Sequence, residues 1–269
     1  MKTIATRLLA SAVFLLAIAA ADGADFNDDG KQDLVWRTHA GNAVVWQMNG
    51  LGVASRATLS PALDSGSAIV GSGNFFGAAP DGILWVDSTN RLSVWRVSDG
   101  VVQQACVVAS SIDPGWIFLG IGDLNADGID DVAWRLPDGS VDVYLMNGCS
   151  APSTITLGAN ADPTWTFAGI GTVDGLNAAL FWRDPSGDVI LWRLHNGASI
   201  FSNTLKAGSF ASWTIAATAD FDGDGKTDIL WRDPGGTQTA LWLLDGIKFT
   251  TAAIVPASTN VFSAADAIF

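Results

Sequence analysis

Apolar and polar residues alternate along this chain in short blocks, and the blocks recur. Mostly apolar runs such as 116–123 (WIFLGIGD), 131–136 (DVAWRL), 140–146 (SVDVYLM) and 153–158 (STITLG) are separated by joins rich in Gly, Asp, Asn and Pro. Runs of that length bounded by turn residues predict β-strands. The joins PDG (137–139), PSG (185–187) and PGG (234–236) sit at one place in the pattern and predict tight hairpins. Beyond residue 21 no segment has the apolar spacing of a helix.

The blocks form a repeat. The segments LVWRT, ILWVD, VAWRL, LFWRD and ILWRD place Trp36, Trp85, Trp134, Trp182 and Trp231 at intervals of 48 or 49 residues. A second aromatic follows each, at Trp46, Trp95, Tyr144, Trp192 and Trp242, and a third precedes three copies, at Trp116, Trp165 and Trp213. Every Trp of the chain therefore lies on the repeat. Four short strands per copy is the signature of a propeller blade. The copies run over about 25–73, 74–122, 123–171, 172–219 and 220–269, within a domain of residues 22–269. The predicted fold is all-β, a β-propeller of five four-stranded blades. The first copy has no room for a strand ahead of Asp25, whereas Asn260–Phe269 aligns with 116–123 and 213–220. That C-terminal segment is expected to be the inner strand of the first blade, closing the ring and leaving no open sheet edge.

Ahead of the first repeated Trp, three copies carry acidic loops: DFNDDGKQD (25–33), DLNADGIDD (123–131) and DFDGDGKTD (220–228). Each offers oxygen atoms at loop positions one, three, five and nine: Asp25, Asn27, Asp29 and Asp33; Asp123, Asn125, Asp127 and Asp131; Asp220, Asp222, Asp224 and Asp228. The backbone carbonyl at position seven (Lys31, Ile129, Lys226) adds a fifth. A glycine at position six permits the sharp turn that gathers such groups around one ion. An all-oxygen set without His or Cys favours calcium over zinc, with up to three ions expected. An EF-hand carries Glu at position twelve, but here that position is Trp36, Trp134 or Trp231 and a strand follows, so these loops join strands. The second and fourth copies, NFFGAAPDG from Asn74 and TVDGLNAA from Thr172, have lost the ligand set.

The pattern Asp-x-Asx-x-Asp-Gly-x-x-Asp followed by an apolar strand resembles the FG-GAP or VCBS repeats of secreted propellers, including those of integrin α subunits. The WR element and VWQMNG (45–50) are similar to bacterial members. The resemblance spans residues 22–269 and implies a propeller with calcium in the loops between first and second strands. Integrin propellers have more and longer blades, so only the calcium ligands are carried over from it.

The N-terminus changes the setting. Lys2 and Arg7 precede an apolar run, residues 8–20, and Ala19 and Ala21 fit an A-x-A cleavage pattern, so residues 1–21 read as a secretory signal peptide. The run is too short to span a bilayer comfortably. The protein is therefore expected in the periplasm or outside the cell. A formal net charge of −13 disfavours nucleic acid and anionic membrane as partners. Cys106 and Cys149 lie in adjacent repeats, and in an oxidising compartment a disulfide between them is possible.

No Ser/His/Asp, Cys/His or His-rich set appears, and His39 and His195 stand alone, so no enzyme is expected. Arg37, Arg135, Arg183 and Arg232 follow the repeated Trp and are expected to make structural hydrogen bonds or ion pairs. Trp36 and Trp46, like Trp182 and Trp192, are equidistant from a turn and are expected to face each other across strands. Strand directions put Trp116, Trp165 and Trp213 on the face opposite the acidic loops. There an indole beside Asp or Asn suits stacking on a sugar ring, or else packs the channel mouth. The expectation is an exported calcium-binding propeller acting as a binding or adhesion module for a glycan or an extracellular protein. A polysaccharide lyase or hydrolase and a purely structural scaffold are the alternatives.

Overall fold

The computed structural model describes residues 24–255 except 39, 40, 65, 158–160, 176 and 196–198. The expected signal peptide (residues 1–21), His39 and the segment Asn260–Phe269 lie outside the described residues, as does the side chain of His195. Five antiparallel sheets follow one another along the chain as the blades of a five-bladed β-propeller. The first blade holds β1 (Leu34–Arg37), β2 (Ala43–Asn49) and β3 (Gly52–Thr58). The second holds β4 (Ala68–Gly73), β5 (Gly82–Val86), β6 (Leu92–Ser98) and β7 (Val101–Ala109). The third holds β8 (Ile117–Gly122), β9 (Asp131–Arg135), β10 (Val141–Leu145) and β11 (Ser153–Thr156). The fourth holds β12 (Thr166–Thr172), β13 (Ala178–Arg183), β14 (Val189–His195) and β15 (Ser199–Leu205). The fifth holds β16 (Thr214–Ala219), β17 (Asp228–Arg232), β18 (Thr239–Asp245) and β19 (Lys248–Val255). Strands within each sheet are in sequence order. Among the described residues the first sheet has three strands, and the innermost place is the one the sequence assigned to Asn260–Phe269. One turn of 3-10 helix, Gly208–Phe210, lies in the connection to the fifth blade.

The inner strands β4, β8, β12 and β16 stand side by side in that order. Their glycines are a steric requirement: a Cβ on Gly169 would lie 2.3 Å from Thr218 Oγ1, and one on Gly171 would lie 2.2 Å from Thr227 Oγ1. Every inner strand also bulges at the same place, between Ile69 and Gly71, Phe118 and Gly120, Phe167 and Gly169, and Ile215 and Ala217. Such bulges sharpen strand twist.

The cores lie between blades. Along β13 the side chains alternate: Ala178, Leu180 and Trp182 join Ala133, Val141 and Val143 of the third blade, whereas Ala179 and Phe181 join Ile229, Trp231 and Ala240 of the fifth. Similar cores join the first blade to the second through Val45 and Trp85, and the second to the third through Leu84 and Trp134. Both faces of a middle strand such as β13 are thus buried, which explains why LFWR-type segments read as nearly continuous apolar runs.

The expected direct pairing of the tryptophans does not occur. Trp36 pairs with Val44 and Trp46 with Leu34; Trp182 pairs with Ile190 and Trp192 with Leu180. The hairpin is centred one residue earlier than the aromatic spacing implies. The rings meet diagonally instead, 5.1 and 5.2 Å between centroids and tilted, within the distance where aromatic pairs attract.

Three of the arginines after the repeated Trp, Arg37, Arg135 and Arg183, hold neighbouring blades together. Arg135 donates to the carbonyls of Ala161 (3.1 Å), Asp162 (2.6 Å) and Trp165 (3.1 Å) in the loop entering the fourth blade. Arg183 donates to Phe210 (3.2 Å) and Ala211 (2.6 Å) ahead of the fifth, with its guanidinium 5.0 Å from the Trp231 ring centre. Arg37 donates to the Asp64 carbonyl ahead of the second. At the junction between second and third blades this arginine is replaced by Val86. That junction carries instead the disulfide Cys106–Cys149, from β7 to the turn after β10, with Cα atoms 5.4 Å apart.

Candidate metal loops and the opposite face

Each acidic loop is built around its first aspartate. Asp220 accepts the amides of Gly223 (2.7 Å) and Asp224 (3.2 Å) on one oxygen and that of Gly225 (2.9 Å) on the other. Asp25 and Asp123 repeat the arrangement, accepting from Gly30 (2.7 Å) and Gly128 (2.8 Å). Positive φ angles of 77°, 82° and 81° at Gly30, Gly128 and Gly225 turn the chain back on itself. Hydrogen bonds from Gly225 and its neighbours hold the Asp220 carboxyl below its usual pKa range. At position five, Asp29, Asp127 and Asp224 each accept the amide of position seven at 2.8–2.9 Å, so Lys31, Ile129 and Lys226 are positioned through their backbone.

The result is a convergence of oxygens. Ligand atoms of Asp220, Asp222 and Asp224 lie within 4.8 Å of one another on the exposed rim of the fifth loop. In the third loop Asn125 accepts the Asp127 amide and donates to its carboxylate at 2.9 Å. In the first, the side-chain oxygen of Asn27 is buried with no hydrogen-bond partner. Ammonium groups flank two of the loops: Lys31 is 3.1 Å from Asp29, and Lys226 is 3.1 Å from Asp224 and 2.7 Å from Asp245. Ile129, at the same position of the third loop, packs instead against the core of the second and third blades.

The position-nine aspartates are set apart from this rim. Asp33, Asp131 and Asp228 are 6, 0 and 0% exposed. One oxygen of each accepts the amide of loop position two (Phe26, Leu124, Phe221, 3.0–3.1 Å). The other accepts the amide of Met48, Met146 or Leu244 in the third strand or just beyond it, at 2.8–3.0 Å. The carboxylate thereby fastens the loop entrance to the third strand. Burial raises the pKa of all three, and Asp131, with Asp127 and Asp123 nearby, is pushed up to about 7.

Sequence reasoning missed position eight. Asp130 accepts the Asn74 amide (2.7 Å) and returns its own to the Asn74 carbonyl (2.9 Å). Asp81 and Asp25 do the same, and Thr227 bonds Thr172 in both directions. The loops of successive blades are thus laced together, and a cavity of about 160 Å³ lies among Asn74, Asp81, Asp123, Gly128 and Asp130. The polar residue recurring at position eight was the available signal.

On the opposite face Trp116, Trp165 and Trp213 are half-buried. Trp116 lies 6.0 Å from Tyr144 and 6.4 Å from Trp134; Trp165 lies 6.0 Å from Trp192; Trp213 lies 4.8 Å from Phe210. Each packs against a blade core and stays partly exposed. Asp113 and Asp162 beside them cap their own turns, accepting the amides of Gly115 and Thr164 at 2.8 Å. Among the described residues no helix is long and apolar enough to cross a membrane.

The FG-GAP repeat family matches residues 212–244, which take in the fifth acidic loop and its Trp. No curated protein matches the chain in sequence. Among solved structures the chain is similar to the β-propeller domain of Nup133 from Vanderwaltozyma polyspora, at 10% identity and a TM-score of 0.53, over 91% of this chain and 72% of that one. It is also similar to a protein of unknown function from Bacteroides caccae (14% identity, TM-score 0.47, 82% of this chain and 72% of that one). A third is the Aleuria aurantia lectin bound to α-methyl-L-fucoside (15% identity, TM-score 0.46, 85% and 78%). At 10% identity the likeness to the Nup133 domain shows the propeller fold alone.

Proposed function

We propose that this protein is an exported, calcium-stabilised propeller that acts as a binding or adhesion module. Its ligand, a glycan or an extracellular protein, takes the face opposite the acidic loops. The observation that carries the calcium reading is the unpartnered buried oxygen of Asn27, at the position where the sequence expects a ligand. A buried acceptor left without a donor is costly, and a cation satisfies it. The gathered carboxylates of Asp220, Asp222 and Asp224 supply the same donor chemistry in the fifth loop. The residues fit calcium: oxygen donors, a flexible glycine turn and excess negative charge. Asp25, Asn27, Asp29 and the Lys31 carbonyl, with Asp123, Asn125, Asp127 and the Ile129 carbonyl and with Asp220, Asp222, Asp224 and the Lys226 carbonyl, would hold the ion, and Asp33, Asp131 and Asp228 would close the set from the buried side. Bound calcium would neutralise carboxylates that otherwise repel one another.

Export is supported by the N-terminal pattern and by the disulfide, which persists in oxidising compartments. Intact mass of the exported product should show residues 1–21 removed. The binding reading rests on the three half-exposed indoles, whose flat faces suit the CH face of a sugar ring. A glycan array run with calcium and again with chelator tests it. Calcium-dependent capture of a glycan, lost in Trp116→Ala, Trp165→Ala or Trp213→Ala, supports it; capture unaffected by all three substitutions contradicts it. Turnover of a polysaccharide by the pure protein would replace the binding reading with an enzymatic one.

A further inference from the structure

The two loops that lack the acidic set are closed by a cation of their own. The residue after the second aromatic of each repeat is Gln47, Arg96, Leu145, Arg193 and Leu243. It is neutral in the three repeats with acidic loops and arginine in the two without. Both arginines reach the loop of their own blade. Arg96 donates to the carbonyls of Ala79 (2.8 Å) and Ala78 (3.5 Å), and its guanidinium lies 5.4 Å from the ring centre of Phe76. Arg193 lies 3.6 Å from an oxygen of Asp174. Phe76 and Asp174 occupy loop position three, counted from the inner strand, which Asn27, Asn125 and Asp222 fill in the acidic loops. Asp174 also accepts the amide and side chain of Asn177 at 2.7 and 2.8 Å, so its loop is closed by hydrogen bonds and a guanidinium.

We propose that Arg96 and Arg193 are tethered replacements for the exchangeable cation, so that calcium-responsive blades one, three and five alternate with calcium-independent blades two and four. This rests on the calcium reading above and adds which parts of the ring that ion governs. A guanidinium is always charged and offers several donors to carbonyl and carboxylate oxygens, the groups a hard cation would otherwise gather. It is held by its own strand and cannot be removed by a chelator. Calcium withdrawal therefore loosens three loops and leaves two.

Hydrogen–deuterium exchange on the exported chain, with calcium and with EDTA, reads this loop by loop. Amides of 25–33, 123–131 and 220–228 should exchange at least several-fold faster in EDTA, and those of 75–80 and 173–179 should keep their rates; the amides of Asn74, Asp81 and Thr172 bond to acidic loops and are left out of the comparison. Arg193→Met should speed exchange in 173–179 equally with and without calcium, and Arg193→Lys should restore part of the protection. Calcium-sensitive exchange in all five loops, or unchanged exchange at 173–179 in Arg193→Met, would overturn the proposal while leaving the calcium reading intact. No calcium effect in any loop would overturn both. A companion chain with 172–179 replaced by DLNADGIDD and Arg193→Leu should bind one more calcium by calorimetry than the parent.

Discussion

Asp228 offers a test that separates fastening from metal binding. Its carboxylate is fully buried and accepts the amides of Phe221 at 3.0 Å and Leu244 at 2.9 Å. In Asp228→Ala both amides lose their acceptor inside the protein. A buried unsatisfied donor costs about 1–3 kcal/mol, so two cost about 2–6 kcal/mol. Part is offset because the substitution also removes a carboxylate that burial disfavours, as its raised pKa shows. A net loss of about 2–4 kcal/mol is expected, a large fraction of the 5–15 kcal/mol by which domains are typically stable. Asp228→Asn keeps one acceptor and should lose roughly half as much. Asp224→Ala is the control: Asp224 lies on the exposed rim, accepting the Lys226 amide and pairing with its ammonium. The assay is urea unfolding followed by tryptophan fluorescence, in EDTA and in millimolar calcium. Asp228→Ala should be destabilised in both media, and Asp224→Ala by less than about 1 kcal/mol in EDTA but more in calcium. If Asp228→Ala matches wild type in EDTA, Asp228 does not fasten the loop to the third strand, and the reading of Asp33 and Asp131 falls with it.

Other parts of the account are open to simpler measurements. Arg183→Met removes the bonds to Phe210 and Ala211 and the contact with Trp231, so it should cost about 1.5–3 kcal/mol by urea unfolding; Arg232→Met, which removes a 3.4 Å bond to Gly236 of its own hairpin, should cost clearly less. Reducing Cys106–Cys149, which closes a loop across 43 residues at the one junction where Val86 replaces the arginine, should lower stability by about 4 kcal/mol on the chain-entropy estimate, read as the unfolding midpoint with and without reductant. In EDTA the chain should become more stable as the pH falls from about 7 towards 4. Asp131 binds its proton near pH 7 when folded and near 3.8 when unfolded, so the folded state gains the proton first and the stabilisation is lost as pH rises through 7. Calcium should flatten that slope, and a rise of melting temperature with pH in EDTA would contradict it.

Much of this architecture is legible in the sequence because the repeat phase aligns turn residues, Trp and acidic loops at once. The strands of the third repeat, Ile117–Gly122, Asp131–Arg135, Val141–Leu145 and Ser153–Thr156, fall within the runs 116–123, 131–136, 140–146 and 153–158, each shorter by one or two residues. The hairpin register was not legible: equal spacing about Gly41 pairs Trp36 with Trp46, but the turn from Thr38 to Asn42 closes one residue earlier and sets Trp36 against Val44. Nor were the acceptors of Arg135 and Arg183, because they are backbone carbonyls in the next blade and carry no residue signature. The position-nine aspartates look identical to the rim carboxylates in a one-dimensional motif. Only burial and the amides of Met48, Met146 and Leu244 distinguish them. The tethered arginines needed both views, since the alternation at 47, 96, 145, 193 and 243 gains meaning once Arg193 is seen beside Asp174.

The central claim is that a hard cation in the acidic loops stabilises the ring. Its most direct test is the melting temperature of the chain in EDTA, in millimolar calcium and in millimolar magnesium. At millimolar calcium and dissociation constants of roughly 10⁻⁴–10⁻³ M, each loop adds about 1 kcal/mol, and three loops raise the midpoint by about 5–10 °C. The account predicts that rise in calcium and little change in magnesium. One melting temperature in all three solutions would contradict it.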